Sequence, residues 1–298
     1  MTDGAFAVVR PGALTTVQDE GRPGHAHLGV PLSGALDRAA SALANRLLGN
    51  APGAAVLETT LDGCAVRVRG AVTVAVTGAP CPVTVDGRPA AWGAPVQVPG
   101  GAVLDVGRAV AGVRSYVAFA GGVAAESVLG SRSTDLLSGL GPPPLALGAV
   151  LPLGHSGVPG PTAYADALPW REPPRELVLR LGPGPRTDWF TERALRTVAT
   201  ARYRVSSASN RIGLRTEGPA LERAVPGELP SEGLVLGAVQ VPPDGHPTVF
   251  LADHPTTGGY PVVGVVPEPD LDAAAQAVPG TPLRFVPTGR FPRPPTGR

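Results

Sequence analysis

Val72–Val106 reads VTVAVTGAPCPVTVDGRPAAWGAPVQVPGGAVLDV, and its punctuation predicts the fold. Four short β-branched runs, Val72–Val76, Pro82–Val85, Pro95–Val98 and Val103–Val106, are interrupted by Asp86-Gly87 and Pro99-Gly100-Gly101. Those are the residue types that tight turns between strands use. The pattern continues outward. Ala55–Thr60 and Cys64–Val68 flank Asp62-Gly63 upstream, Ser115–Ala120 follows downstream, and Ala5–Val9 is a strand stopped by Pro11-Gly12. Strands this close together predict an antiparallel barrel or sandwich, and the lack of βαβ alternation argues against a Rossmann-like sheet.

Composition sets bounds on function. The chain of 298 residues is long enough for two domains. Its 40 Gly and 36 Pro approach the low-complexity range, yet 43% hydrophobic residues and repeated strand-like runs point to a turn-rich folded β protein. A net charge of +1 gives no electrostatic case for nucleic acid or an anionic membrane. All 25 basic residues counted as Lys or Arg are arginines. A P-loop lysine, a Schiff-base lysine and a biotinylated lysine are therefore excluded, and anions must be met by Arg or by backbone N–H groups. Cys64 and Cys81 lie in strand-like sequence without a CxxC partner and read as small buried hydrophobes. MTDGAFAVVRPG lacks a basic region followed by an apolar core, and no run of 18 apolar residues occurs, so the expectation is a soluble, cytoplasmic protein.

Thr15–Asn50, TTVQDEGRPGHAHLGVPLSGALDRAASALANRLLGN, concentrates chemistry in a non-periodic loop that leads into a helix. Leu36, Ala40, Leu43, Ala44, Leu47 and Leu48 recur at helical spacing, predicting a helix over 35–48 with Ser33 as N-cap and Gly49-Asn50 as the stop. Asp37 is either a helix-end charge or a site residue. Gln18, Asp19, Arg22, His25 and His27 have no obvious capping task among the glycines of this loop, which is the alternative to a plain Gly-rich turn between strands.

The segment His155–Pro174 has no period and five prolines, and marks the boundary between an N-terminal β-rich half (1–165) and a C-terminal β-barrel half (176–298). Beyond it, Glu176–Leu181 is a strand, and a helix is predicted from about Asp188 to Thr200 with Phe190, Ala194, Leu195 and Val198 on one face. Thr248–Ala252 is a buried-strand run that delivers Asp253, His254, Thr256, Thr257, Gly258, Gly259 and Tyr260 at its end. A last helix, Asp270–Val278, precedes a strand at Leu283–Val286. In the first half, Leu129–Asp135 could hold an oxyanion or simply close a turn capped by Asp135. The five histidines lack metal-ligand spacing, so no metal is expected, and no GxSxG elbow is present.

TTVQDEGRPG, GVPLSGALDRAASALANRLLGN, GSRST, SNRIGLR, GAVQVPPDGHP and TTGGYP, in this order, resemble the carboxyltransferase subdomain shared by allophanate-hydrolase subunit 2-type proteins. That group includes the C subunit of bacterial 5-oxoprolinase, KipA-type regulators and one part of urea amidolyase. The resemblance implies a mainly β fold with a few helices, in a two-part cyclophilin-like β-barrel architecture. It also implies protein partners, the KipI-like B component and the A component of 5-oxoprolinase. The implied activity is ATP-dependent opening of the lactam of 5-oxoproline to L-glutamate. The alternatives are a biotin-dependent carboxyltransferase of the urea amidolyase type, with biotin supplied by another chain, and a non-catalytic KipA-like regulator. This sequence departs from the family at Pro255, where a Gln is usual before the Thr pair, and at His25, where an aromatic is usual.

Amide opening needs charge met at an activated carbonyl oxygen and a group to manage protons. That chemistry nominates Arg211 and Arg22 for anions, and Asp19 and Asp253 as proton-handling or orienting acids. Gln18, His27, Ser33, Gln240, Thr257, Gly258, Gly259 and Tyr260 would contact substrate.

Overall fold

Strand alternation and turn chemistry build the first half as two packed antiparallel sheets. The computed structural model describes residues 4–155, 172–289 and 291. Among them the chain divides into two units, one drawn from Met1–Arg22, Ser33–Asp135 and Gly139–Pro173, the other from Pro23–Leu32, Leu136–Ser138 and Pro174–Arg298. In chain order the first unit contains β1 (Ala5–Arg10), β2 (Leu14–Gln18), helix α1 (Arg38–Leu47), β3 (Val56–Thr60), β4 (Cys64–Val68) and β5 (Val72–Gly78). After these come β6 (Val83–Val85), β7 (Arg88–Ala90), β8 (Pro95–Val98), β9 (Val103–Val106), β10 (Arg114–Phe119) and β11 (Val150–Pro152). One sheet runs β11-β1-β4-β9-β6-β7 and the other β2-β3-β10-β5-β8. Of the two architectures the turn pattern left open, this is the layered one.

β10 shows why the layers hold. Val117 and Phe119 point into the core shared with the first sheet, where Phe119 stacks on Phe6 of β1 with centroids 5.0 Å apart. Tyr116 and Ala118 alternate to the opposite face, where they pack with Ala35, Ala44 and Val56 under α1. With both faces covered, all six residues of β10 are buried. The Tyr116 hydroxyl donates to Glu58 Oε2 at 2.9 Å and accepts from the Asp37 N–H at 2.7 Å. Glu58 Oε2 also accepts from the Leu36 N–H at 2.9 Å, and Arg114 approaches its other oxygen at 3.6 Å. Burial and the Glu58 and Asp37 charges push the Tyr116 phenol well above its usual range, so it stays a donor.

In the second unit, β12 (Leu177–Pro183), helix α2 (Glu192–Thr200), β13 (Tyr203–Val205), β14 (Gly213–Glu217) and β15 (Glu232–Gly233) come first. Then follow β16 (Ala238–Gln240), β17 (Thr248–Phe250), β18 (Thr257–Gly258), β19 (Val262–Val265), helix α3 (Glu268–Ala275) and β20 (Pro282–Pro287). Seven strands close into a barrel in the order β12-β19-β16-β17-β14-β13-β20, with β20 returning parallel to β12. Closure leaves no open edge. Leu177, Leu179 and Leu181 of β12 are buried, while Val178 and Arg180 alternate outward. The Arg180 guanidinium and N–H hold Asp270 at the start of α3. β15 and β18 form a separate two-stranded ribbon. The fold is thus mainly β with three helices among the described residues, and none of these helices is long and apolar enough to cross a membrane.

Several boundaries differ from expectation. Residues 14–18 form an edge strand, not loop. Thr15, Thr16, Val17 and Gln18 are all buried, so no alternation betrays it. The early helix begins at Arg38 and is capped by Asp37, whose side chain accepts the Ala40 N–H; Ser33 instead takes a positive φ of 55°. The helix expected from Asp188 is a 3-10 turn at Thr187–Trp189 followed by α2, whose N-cap is Thr191. The last helix runs Glu268–Ala275, earlier than Asp270–Val278. The Pro-rich segment read as a boundary lies mostly outside the described residues.

Tyr116→Phe removes both hydroxyl contacts of a buried network, to Glu58 Oε2 and from the Asp37 N–H, so it should lower unfolding free energy by about 1–3 kcal/mol in urea titration. A change under half a kcal/mol, by this order-of-magnitude scale, would show that the network contributes little. Burial pushes the Cys64 thiol up to about 12 and also raises Cys81. Ellman's reagent at neutral pH should therefore titrate neither thiol in the native protein and both after denaturation.

Candidate functional site

The sequence-predicted site residues collect into clusters at the ends of stiff strands. In the first unit, β2 ends in Gln18 and runs straight into Asp19. Asp19 Oδ1 accepts from the Ser131 hydroxyl at 2.5 Å, the Ser133 hydroxyl at 2.6 Å and the Gly21 N–H at 2.8 Å. Its Oδ2 accepts from the Arg132 N–H at 2.6 Å. The Asp19 N–H in turn donates to Ser133 Oγ, and the Thr134 N–H donates to Val17 O. Residues 133–134 therefore run along the outer edge of β2 and are fixed there by one carboxylate. Gln18 Nε2 donates to Thr16 Oγ1 and to Thr134 O, each at 3.0 Å. Arg22 is almost fully buried and donates to Ser133 O at 2.5 Å and to Val128 O at 3.4 Å. Ser131, Arg132, Ser133 and Thr134 were visible in the sequence as a hydroxyl-rich turn. Their tie to Asp19, 112 residues away for Ser131, was not.

In the second unit, β17 ends at Phe250 and a turn closed by the His254 N–H on Leu251 O places Asp253. Arg211 forks onto it, with Nε to Oδ2 and Nη2 to Oδ1 both at 2.9 Å, and both side chains are almost wholly buried. The Asp253 N–H donates to Arg211 O, and Asp253 Oδ2 also accepts the Leu136 N–H at 3.1 Å. Arg211 sits beside Asn210, whose side-chain oxygen accepts from the Ile212 and Gly213 N–H groups and shapes the turn into β14. His254 Nδ1 lies 2.7 Å from Pro255 O; a carbonyl only accepts, so that nitrogen carries the proton.

β16 ends in Gln240, whose Nε2 donates to Tyr260 O at 3.1 Å. Gly258 packs so closely there that a Cβ would lie 2.6 Å from Gln240 Nε2, so a side chain at 258 would push the end of Gln240 aside. Thr257 is exposed on the β15–β18 ribbon. The half-exposed Tyr260 ring carries the Arg223 guanidinium 5.6 Å from its centroid, a cation–π contact that a lone arginine in the sequence did not announce. His27 is exposed in a 3-10 turn at Ala26–Leu28, and Ser33 is buried beyond it in the chain. A groove of about 660 Å³ lined by Asp86, Arg88, Pro89 and Gln97 contains none of these residues. No group of three or more metal-ligating side chains occurs among the described residues.

Breaking the Arg211–Asp253 pair from either side strands a buried charge. Arg211→Ala and Asp253→Asn should each cost about 3–5 kcal/mol in urea unfolding, and Arg211→Met combined with Asp253→Leu should recover most of it. Single variants as stable as the parent would show that the pair does not hold the folded state together.

A family model for the carboxyltransferase domain, subdomain A and B, matches residues 28–287. The chain is 38% identical over 283 residues to the C subunit of 5-oxoprolinase from Escherichia coli (strain K12), covering 94% of this chain and 90% of that one. It is 35% identical to urea amidolyase of Lachancea kluyveri, covering 95% of this chain but 17% of the relative. The solved urea amidolyase of K. lactis superposes with a TM-score of 0.86 at 32% identity, over 96% of this chain and 19% of that one.

Proposed function

The chain belongs to the carboxyltransferase-domain family, subdomains A and B, and from that premise we propose that it is the C subunit of an ATP-dependent 5-oxoprolinase. In this reading it acts with the A and B components of that enzyme to open the lactam of 5-oxoproline to L-glutamate. The observation that carries it is coverage in both directions. The match spans 90% of the C subunit of 5-oxoprolinase but 17% of urea amidolyase, so it takes in nearly all of the one relative and a small part of the other.

A lactam resists hydrolysis because nitrogen donates into its carbonyl. Transferring a phosphoryl group from ATP to the carbonyl oxygen makes that oxygen a leaving group and the carbon electrophilic. ATP is a cofactor of the complex, and this chain has no P-loop lysine to cradle it. What the chain offers is donors and fixed dipoles. Asp19 is saturated by four donors, and Asp253 by the Arg211 fork and the Leu136 N–H. We therefore assign Asp19, Asp253 and Arg211 to positioning. Arg22, Gln18, Gln240, Thr257, Gly258, Gly259 and Tyr260 are assigned to substrate contact, with His27 and Ser33 flanking.

The second reading, carboxyl transfer from carboxybiotin to urea, is favoured by the urea amidolyase relative. Its biotin would arrive on another chain, because this one has no lysine to carry it.

The assembled complex should release glutamate from 5-oxoproline only with ATP, at a rate that avidin leaves unchanged. Tyr260→Ala, which removes a half-exposed ring without opening the core, should lower kcat/KM for 5-oxoproline by roughly 10²-fold, about 2.7 kcal/mol. Avidin-sensitive carboxylation would instead establish the second reading. A stable complex inert toward both substrates would leave a binding regulator.

A further inference from the structure

β15 and β18 face each other over two residues each, Glu232 opposite Gly258 and Gly233 opposite Thr257. A ribbon that short does not hold its own shape in water. Its second strand opens the Thr257–Tyr260 stretch that the function above sets against substrate, and Gly258 and Gly259 bring no side chain to pack. Support comes from the facing segment. The Leu234 N–H donates to Thr256 O at 2.8 Å, the Leu229 N–H donates to Gly259 O at 3.3 Å, and the ladder lies between them. Where residues 229–234 sit, residues 256–259 follow.

That segment is mounted at three points. Leu229 and Leu234 are buried at its two ends, Leu234 in a cluster with Ala238, Phe250 and Val262. Between them Pro230, Ser231 and Gly233 are exposed and Glu232 is half-buried. Arg186 forks onto the Glu232 carboxylate, with Nε to Oε2 at 2.9 Å and Nη2 to Oε1. Among the described residues, the other side-chain hydrogen bond to residues 224–233 is a long one, from Arg223 Nη1 to Gly227 O at 3.5 Å. One ion pair thus fixes the middle of the segment, at the residue that stands opposite Gly258.

Arg186 is itself held firmly. Two residues before it, the Gly184 N–H donates to Val263 O at 3.0 Å, and a Cβ on Gly184 would fall 2.4 Å from Val262 O, so the chain runs against β19 too closely for a side chain. Directly after it comes the 3-10 turn Thr187–Trp189, in which Thr187 is buried and the Trp189 N–H donates to Arg186 O. The pair therefore joins the barrel wall to the ribbon. Its side chains are 36% and 31% exposed, and an ion pair that wet contributes little to global stability. What a forked pair does supply is direction.

We propose that Arg186 and Glu232 are positioning residues for substrate: their forked pair holds β15 where its ladder sets Thr257, Gly258, Gly259 and Tyr260. The proposal rests on the function above, which puts those four residues in contact with 5-oxoproline. Neither Arg186 nor Glu232 touches substrate in it. The same stretch carries Tyr260 O to Gln240 Nε2 and the Tyr260 ring to Arg223, so a shift of the ribbon reaches both contacts.

The test uses the full chain, alone and in the assembled complex. Arg186→Gln and Glu232→Gln each remove one charge and should leave Tm close to that of the parent. By hydrogen exchange read with mass spectrometry, amides in 229–234 and 256–260 should exchange roughly 10-fold faster in both variants, while those of β16 and β19 stay as in the parent. In the complex, each variant should lower kcat/KM for 5-oxoproline roughly 10-fold and leave KM for ATP unchanged. The double variant should lose no more than either single, because both break one pair. In a Tyr260→Ala background the loss from Glu232→Gln should shrink to under about 3-fold, since the ring that the ribbon places is gone. Parental exchange in both segments, or a fall in Tm with exchange raised evenly across the barrel, overturns the positioning role. So does full additivity with Tyr260→Ala. The two proposals fail separately. Glutamate release whose kcat/KM ignores both variants keeps the function and removes the positioning role. Selectively faster exchange in a complex that releases no glutamate keeps the hold on the ribbon and removes the function.

Discussion

The Asp19 carboxylate holds the polar end of the first unit together. It accepts two hydroxyls and two backbone N–H groups, and three of those four donors lie in Ser131–Ser133. With that segment fixed, Thr134 can bond to Val17 O, and Leu145 to Thr15 O further along. The outer edge of β2 is thereby occupied by chain that is not itself a strand, which protects an otherwise open sheet edge. The same placement sets the Ser133 and Thr134 carbonyls where Arg22 and Gln18 find them. A neutral side chain at 19 would leave donors competing for too few lone pairs.

Three of the buried carboxylates among the described residues meet the cost of desolvation in different ways. Asp19 uses hydroxyls and amides. Glu58 uses the Tyr116 phenol, the Leu36 amide and the approach of Arg114. Asp253 uses a forked guanidinium. The choice has consequences, since a carboxylate bonded to hydroxyls and amides keeps its negative charge and one paired with Arg is neutralised locally. The Arg211–Asp253 unit is therefore electrically quiet, whereas the Asp19 cluster and the buried Arg22 beside it in sequence are not.

Much of the fold was legible because strands announce themselves where one face is apolar and turns are sharp. Cys64–Val68, Pro95–Val98 and Val103–Val106 fall where Asp-Gly and Pro-Gly-Gly punctuation puts them. β2 was not legible, since Thr15, Thr16 and Gln18 are buried through hydrogen bonds rather than apolarity. β13, β15, β16 and β18 are two or three residues long, too short for any period to show. The family was readable from contiguous motifs. The hydrogen-bond partners of the nominated side chains were not, because Asp19 with Ser131 and Arg211 with Asp253 are joined across 112 and 42 residues by the fold alone.

What unites the readable and unreadable parts is where the polar side chains are mounted. β2 delivers Gln18 and Asp19, β16 delivers Gln240, and β17 delivers Asp253 one short turn later. Each leaves a strand whose pairing fixes its direction, so its position is inherited from a ladder and not from a free loop. Each is then locked by a bond to a segment distant in sequence: Thr134 for Gln18, Tyr260 for Gln240, Leu136 for Asp253. The glycine-rich segments of this chain thus do not leave the site loose. Their backbone supplies acceptors and donors at close range, and the strands decide which side chains meet them.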